Sequence, residues 1–214
     1  MSGKTIKPYA TSAGWLGGTF ERQQNKSRFN FLAKEYGFKV YATDLWSDAE
    51  ENRKFFAEMG LTEDQIIPVK ADATDLKYEK EFFDAVVSTD SYNYFGRDEK
   101  YLDEKLLPFV KKGGYIYIVV PGMKKDCHNN IPKELLLSWT PEQLDYLHDI
   151  EYWKNIILKS RNSEIVSIYE MESNEECWED WINCDNEYSK SDRKSIEAGA
   201  CKYLNFIAIV LKKI

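Results

Sequence analysis

Three short apolar runs in this chain end in a carboxylate: Lys39-Val40-Tyr41-Ala42-Thr43-Asp44, Ile66-Ile67-Pro68-Val69-Lys70-Ala71-Asp72, and Phe82-Phe83-Asp84-Ala85-Val86-Val87-Ser88-Thr89-Asp90. An ionised carboxylate only accepts hydrogen bonds, can take two O–H groups at once, and makes strong ones because it is charged. Polar groups at the carboxyl ends of neighbouring buried strands are where an open α/β sheet places its ligand. The order strand–acid–helix, strand–acid, strand–acid therefore points to a nucleotide-like cofactor near Asp44, Asp72 and Asp90.

Other reactive groups are sparse. The four cysteines, Cys127, Cys177, Cys184 and Cys201, show no CxxC or zinc-like spacing, and there are two histidines, His128 and His148. Cys127-His128 could be read as a metal or nucleophile pair, but one neighbouring pair is little to build on, and no metal is expected. A net charge of −7 argues against nucleic acid as a partner. No apolar run approaches the roughly 20 residues that span a bilayer, and no basic-then-apolar leader opens the chain. A cytoplasmic location with reduced thiols is the expectation.

The elements that must position these groups follow from periodicity and breakers. At 214 residues with 43% hydrophobic content, one domain with a full-sized core suffices. Residues 1–24 read as an irregular N-terminal segment, broken by Gly3, Pro8, Gly14, Gly17 and Gly18, and 25–214 as the folded domain, with substrate-side elements over about 123–200. Asn25–Tyr36 reads as a helix stopped by Gly37. Ser47 and Glu50 read as the capping box of a second helix that ends at Gly60. Arg97–Val110 reads as a helix distorted near Pro108, and Tyr115–Val120 as a strand bounded by Gly113-Gly114 and Pro121-Gly122. Beyond it come a long amphipathic helix over Pro141–Ser160, which makes His148 structural, a strand over Glu164–Tyr169, a Trp-rich short helix over Asn174–Asn183 and a closing strand over Tyr203–Leu211. Strands alternating with helices imply a mainly parallel sheet.

The segment Phe31–Pro121 resembles the class I S-adenosylmethionine-dependent methyltransferases, in particular the small bacterial methyltransferase-11 or UbiE-like type. The resemblance rests on Leu32-Ala33-Lys34-Glu35-Tyr36-Gly37, Ala42-Thr43-Asp44, Lys70-Ala71-Asp72-Ala73, Glu81-Phe82-Phe83-Asp84-Ala85-Val86-Val87-Ser88, and Leu106-Leu107-Pro108 leading to Gly113-Gly114, in that order and spacing. It implies a Rossmann-like α/β sheet, mainly parallel, closed by an antiparallel C-terminal strand, and S-adenosylmethionine as cofactor. It also implies cofactor roles: Asp44 on the ribose hydroxyls, Leu45 and Trp46 beside the adenine, Asp72 and Ala73 at the adenine edge, and Ser88 and Thr89 bordering the methyl group. Each has a plainer reading: a strand-ending acid for Asp44, a turn-capping acid for Asp72, a core cover for Trp46. Tyr92, Tyr94 and Phe95 offer an aromatic wall to a sulfonium or simply a packed loop. His128, Asp90 and Tyr92 are the candidate catalytic groups, a base being needed only if the acceptor must lose a proton early.

The chain departs from the family at its first motif. Counting back from Asp44, the glycine-rich turn should fall on Arg22-Gln23-Gln24-Asn25-Lys26, which contains no glycine. Gly14, Gly17 and Gly18 lie earlier, and Pro8 interrupts the only strand-like residues before them, Thr5-Ile6 and Tyr9-Ala10, so the first strand is unaccounted for. Three readings follow: a rewired segment in which Gly17 and Gly18 with Gly14 form the loop, a cofactor-free descendant, or an incomplete chain. The expected function is methyl transfer to a small-molecule acceptor by a monomer or homodimer; the alternative is an inactive or truncated relative that acts as a binding protein or not at all. A nicotinamide oxidoreductase would use Asp44 equally well but lacks its G-x-G-x-x-G before a helix.

Overall fold

The computed structural model describes residues 9–12, 31–185 and 187–214. Its centre is a seven-stranded sheet in the order β3-β2-β1-β4-β5-β7-β6. Strands β1 (Tyr9–Ser12), β2 (Lys39–Asp44), β3 (Ile66–Lys70), β4 (Phe83–Thr89) and β5 (Val110–Met123) run parallel. Strand β7 (Leu204–Lys213) returns antiparallel to β5 and pairs with β6 (Ser163–Glu170) on its other side. The expected Rossmann-like sheet with an antiparallel end is therefore present.

The first strand, unaccounted for in the sequence, is present too, inside the segment read as irregular. Residues Tyr9–Ser12 pair with β2 from Tyr9↔Lys39 to Ser12↔Ala42, and with β4 from Ala10↔Ala85 to Ser12↔Val87. Pro8 precedes this strand rather than interrupting it.

A helix (α1) runs over 31–36, and α2 (Ala49–Glu58) connects β2 to β3. Alternate residues of β2 serve two cores: Val40 and Ala42 pack with Ala33, Phe56, Leu61 and Ile66, whereas Tyr41 packs against the main cluster around Val86, Ile116, Ile118 and Trp153. Successive strand side chains point to opposite faces, so β2 is covered on both. Pro68 is tolerated because β3 is an edge strand among the described residues, paired there with β2 alone.

Three expected elements differ. The helix expected over Arg97–Val110 is a π-helical turn, Leu102–Leu106, followed by a 3₁₀ turn, Leu107–Phe109; Pro108 cannot donate to a regular α ladder. The turn expected at Gly113-Gly114 is a bulge within β5. Pairing with β4 jumps from Phe83↔Val110 to Ala85↔Tyr115, Gly113 sits at φ +76°, and a Cβ on Gly114 would meet the Asp84 carbonyl oxygen at 2.7 Å. The helix expected over Pro141–Ser160 is two, α4 (Pro141–Leu144) and α5 (Ile150–Ile157), because Asp149 starts afresh by accepting from Tyr152 N at 2.9 Å.

That break decides where His148 lies. The segment between the helices is laid on the end of β5: Gly122 pairs with His148, and Met123 N donates to the His148 carbonyl at 3.1 Å. The Trp-rich helix α6 (Asn174–Asn183) packs Trp178 on Phe206 of β7, ring centroids 5.6 Å apart, and Trp181 donates to Asp192 of α7 (Glu187–Glu197). No helix among the described residues is long and apolar enough to cross a membrane.

Gly122 is required by this arrangement, since a Cβ there would meet the His148 carbonyl oxygen at 2.5 Å. Backbone cannot yield as a side-chain tip can. Gly122→Ala should cost about 1–3 kcal/mol, the usual range for overpacking, read as a lowered urea midpoint at unchanged slope.

Candidate functional site

The carboxyl edge of the sheet gathers the chemically capable side chains. At the β2–β3 end the two acid-bearing loops are tied together, Ala71 N donating to the Asp44 carbonyl at 3.0 Å. Asp44 Oδ1 accepts from Trp46 N at 2.7 Å and Ser47 N at 2.8 Å, which fixes the loop as it leaves the strand. Its Oδ2 has no hydrogen bond among the described residues. Ser47 is thereby a donor to Asp44 and not the expected cap of α2; that role is taken by Asp48, which accepts from Glu50 N at 2.9 Å and Glu51 N at 3.3 Å. Leu45 is half-buried, and Trp46 leaves 62% of its surface open, so the indole covers no core.

Asp72 is half-buried, and its Oδ1 accepts from Thr74 N at 2.8 Å and Thr74 Oγ1 at 2.7 Å. The turn-capping role is thus filled, through one oxygen. Ala73 is buried, and its carbonyl accepts from the Tyr101 hydroxyl at 2.9 Å, which anchors the loop to the main core.

At the end of β4, Ser88 is fully buried with its hydroxyl 2.8 Å from that of Ser91, so it shapes the turn and presents nothing to the edge. Thr89 is half-buried. Asp90 adopts φ +55°, the left-handed region that Asp tolerates better than most residues, and its N–H donates to Val119 O at 2.8 Å. Backbone held in that region is a reservoir of strain of the kind found at functional sites. Tyr92, expected among the catalytic groups, is 0% exposed within the ring cluster of Phe95, Tyr101 and Trp153. Burial pushes its phenol well above the ordinary value and its hydroxyl has no partner among the described residues, so it is core. Phe95 is buried as well. Of the expected aromatic wall, Tyr94 remains, half-buried, its ring 5.0 Å from that of Tyr146 and its phenol pushed up to about 12, chiefly by burial.

Sequence reasoning missed the groups beside it. The Arg97 guanidinium lies 4.3 Å over the Tyr146 ring and donates to Asp145 Oδ2 at 2.9 Å. His148 comes in from the break between α4 and α5 and is stacked on Tyr152, ring centroids 3.5 Å apart. Burial first, then the proximity of His128 and Arg97, pushes its imidazole down to about 4. The helix break that carries it was signalled by Asp149, an N-capping residue inside the apolar pattern.

His128 follows β5 as expected. Its Nδ1 lies 3.1 Å from Asp126 Oδ1 and its Nε2 3.0 Å from the Leu144 carbonyl oxygen, so both ring nitrogens are engaged. The backbone N–H of His128 also donates to Asp126 Oδ1 at 2.9 Å, the main reason that carboxyl is held below its usual range. Cys127 does not join its neighbour: the thiol faces Met123 Sδ at 3.4 Å, and burial raises it. Gly17 and Gly18 lie outside the described residues; along the chain they follow Ser12, the carboxyl end of β1.

Residues 26–118 match the methyltransferase-11 family model, described as a methyltransferase domain. Among solved structures, the fold is similar to that of a geranyl diphosphate methyltransferase in complex with geranyl diphosphate and sinefungin, at 14% identity and TM-score 0.70, over 96% of this chain and 71% of that one. The geranyl diphosphate C-methyltransferase of Streptomyces coelicolor A3(2), in complex with Mg²⁺, geranyl diphosphate and S-adenosyl-L-homocysteine, matches at 12% identity and TM-score 0.69 over 96% and 71%. The [4+2]-cyclase SpnF matches at 12% identity and TM-score 0.66 over 96% and 74%. No curated protein sequence matches the chain.

The enclosure of Tyr92 has a measurable consequence. Tyr92→Phe removes a buried hydroxyl with no partner among the described residues, so stability should stay the same or rise by up to about 1 kcal/mol. A loss of more than about 1 kcal/mol in chemical denaturation would show that the hydroxyl is bonded in the folded protein.

Proposed function

We propose that the chain is a class I S-adenosylmethionine-dependent methyltransferase, on the match of residues 26–118 to the methyltransferase domain model and the shared fold, and that it transfers a methyl group to a small molecule held beside Tyr94, Tyr146 and Arg97. When bound, the cofactor supplies a methyl group already activated on a sulfonium. The protein's share is orientation and the exclusion of water, which together can account for much of the rate.

The observation that carries this reading is Asp44: a carboxylate at the end of the strand next to β1, with one oxygen spent on its own loop and the other left unengaged among the described residues. Such a group is fixed in direction before any ligand arrives and still has an acceptor for ribose hydroxyls. Trp46 and Leu45 flank the adenine in this proposal, and Asp72 and Ala73 meet its edge through the carboxylate oxygen not committed to Thr74. Gly17 and Gly18, with Gly14, follow β1 along the chain, where glycine lets backbone approach the methionine half without a Cβ in the way. Thr89 borders the methyl group, and Ser88 supports it from beneath through Ser91.

Among the proposed catalytic groups, the burial of Tyr92 and the double engagement of His128 leave Asp90 as the one suited to take a proton from the acceptor. Its carboxylate stands where β4 ends, on backbone conformation that the strand pairing to Val119 holds in place. The aromatic rings of Tyr94 and Tyr146 favour a flat acceptor.

Calorimetric titration separates the possibilities. S-adenosylmethionine and S-adenosylhomocysteine should bind the unaltered chain, and Asp44→Asn should weaken both at least tenfold, or about 1.4 kcal/mol. Asparagine keeps the Oδ1 acceptor for Trp46 and Ser47, so the melting temperature should hardly move. Tighter binding of NAD than of either compound, or no binding by the unaltered chain, would overturn the proposal.

A further inference from the structure

We propose that Asp126, His128 and His148 form a binding site for a divalent transition-metal ion at the carboxyl end of β5. One ligand atom from each residue lies within 4.8 Å of the other two. Donors bound to one tetrahedral ion at 2.0–2.1 Å stand roughly 3.3 Å apart. Asp126 Oδ1 and His128 Nδ1 are already at 3.1 Å, and side-chain adjustment of His148 closes the set.

The hydrogen bonds around His128 fix which atoms face the ion. Its Nε2 lies 3.0 Å from the Leu144 carbonyl oxygen, which can only accept, so Nε2 carries the proton. A metal-binding imidazole is usually oriented in this way, its far N–H on a carbonyl or carboxylate. The Nδ1 lone pair then lies beside a carboxylate oxygen 3.1 Å away, a repulsive contact unless a proton sits between the two or a metal ion off the N–O line binds both.

His148 decides between them. It is 8% exposed, and neither ring nitrogen has a hydrogen-bond partner among the described residues. Buried polar atoms are nearly always paired, and a proton on His128 would leave His148 as it is. A metal ion satisfies all three groups together. Stacking on Tyr152 limits the rotation of the His148 ring, and Asp149 Oδ2 accepts from Asp126 N at 3.2 Å, which steadies the loop that carries the carboxylate. Two imidazoles and one carboxylate select zinc, cobalt, nickel or iron over magnesium and calcium. Three protein ligands also leave a coordination position for water or an acceptor oxygen.

The test uses the full chain without an affinity tag, stripped by chelator, and requires no methyl donor, so it fails or succeeds independently of the cofactor reading. Titration with Co²⁺ should give saturable one-to-one binding by calorimetry with visible d–d absorption, and Mg²⁺ should bind at least a hundredfold more weakly. His148→Ala should abolish the absorption. Asp126→Asn, at a side chain half open to solvent, should preserve the fold and weaken Co²⁺ at least tenfold, which keeps the test decisive if the histidine variant fails to fold. Absence of saturable Co²⁺ binding, or binding untouched by Asp126→Asn, would overturn the site.

Discussion

The carboxyl edge exists because Tyr9–Ser12 are hydrogen-bonded on both sides. Strand β1 joins the β3-β2 pair to the β4-β5-β7-β6 block, and among the described residues no other strand bridges them. Buried backbone donors and acceptors must be paired, so a strand in this position needs little length as long as both neighbours are in register. Because β1 to β5 run parallel, Ser12, Asp44, Lys70, Thr89 and Met123 all end on one side. Without β1 the sheet would have two further open edges, and Asp44 would no longer share a frame with Asp90.

A second constraint acts at the other end of that edge. Strand β5 runs on through Pro121 and Gly122 to Met123, supported there by β7 rather than by β4, which has ended at Thr89. Proline is harmless at this point: its parity along β5 matches that of Val119 and Met123, whose polar groups face Asp90 and His148, and among the described residues no strand lies between those contacts. The missing side chain of Gly122 is what lets the His148 segment lie against the sheet. Backbone packing, not a side-chain contact, therefore brings His148 to His128.

Much of this was legible in the sequence, for physical reasons that also explain the rest. The β2, β3 and β4 patterns are dense in β-branched and aromatic residues and end in acids, so their existence, direction and polarity could all be read. Tyr9-Ala10-Thr11-Ser12 is too short and too mildly apolar to show a period, and its strand character comes from the two neighbours that flank it. The split of Pro141–Ser160 was hidden because the apolar spacing continues across the break while the caps Thr140 and Asp149 start two separate helices. Ser47 and Asp48 are both good caps by type; Asp48 takes the role through its Oδ1, while the Ser47 N–H is bound to Asp44. Burial could not be read at Tyr92 either: an aromatic after a strand looks the same whether it faces ligand or core.

Fold alone does not select a reaction, and a [4+2]-cyclase is among the similar structures. The distribution of groups along the edge is more informative. At the β2–β3 end Asp44 and Asp72 each commit one oxygen to their own loops. Imidazoles, phenol rings and a guanidinium gather at the β4–β5 end, in His128, His148, Tyr94, Tyr146 and Arg97, together with the carboxylates of Asp90, Asp126 and Asp145. The first set can accept from hydroxyl and amine donors, whereas the second mixes rings with donors and acceptors already paired to one another. Thr89 and Asp90, where β4 ends, lie between Asp44 and His128 in the strand order.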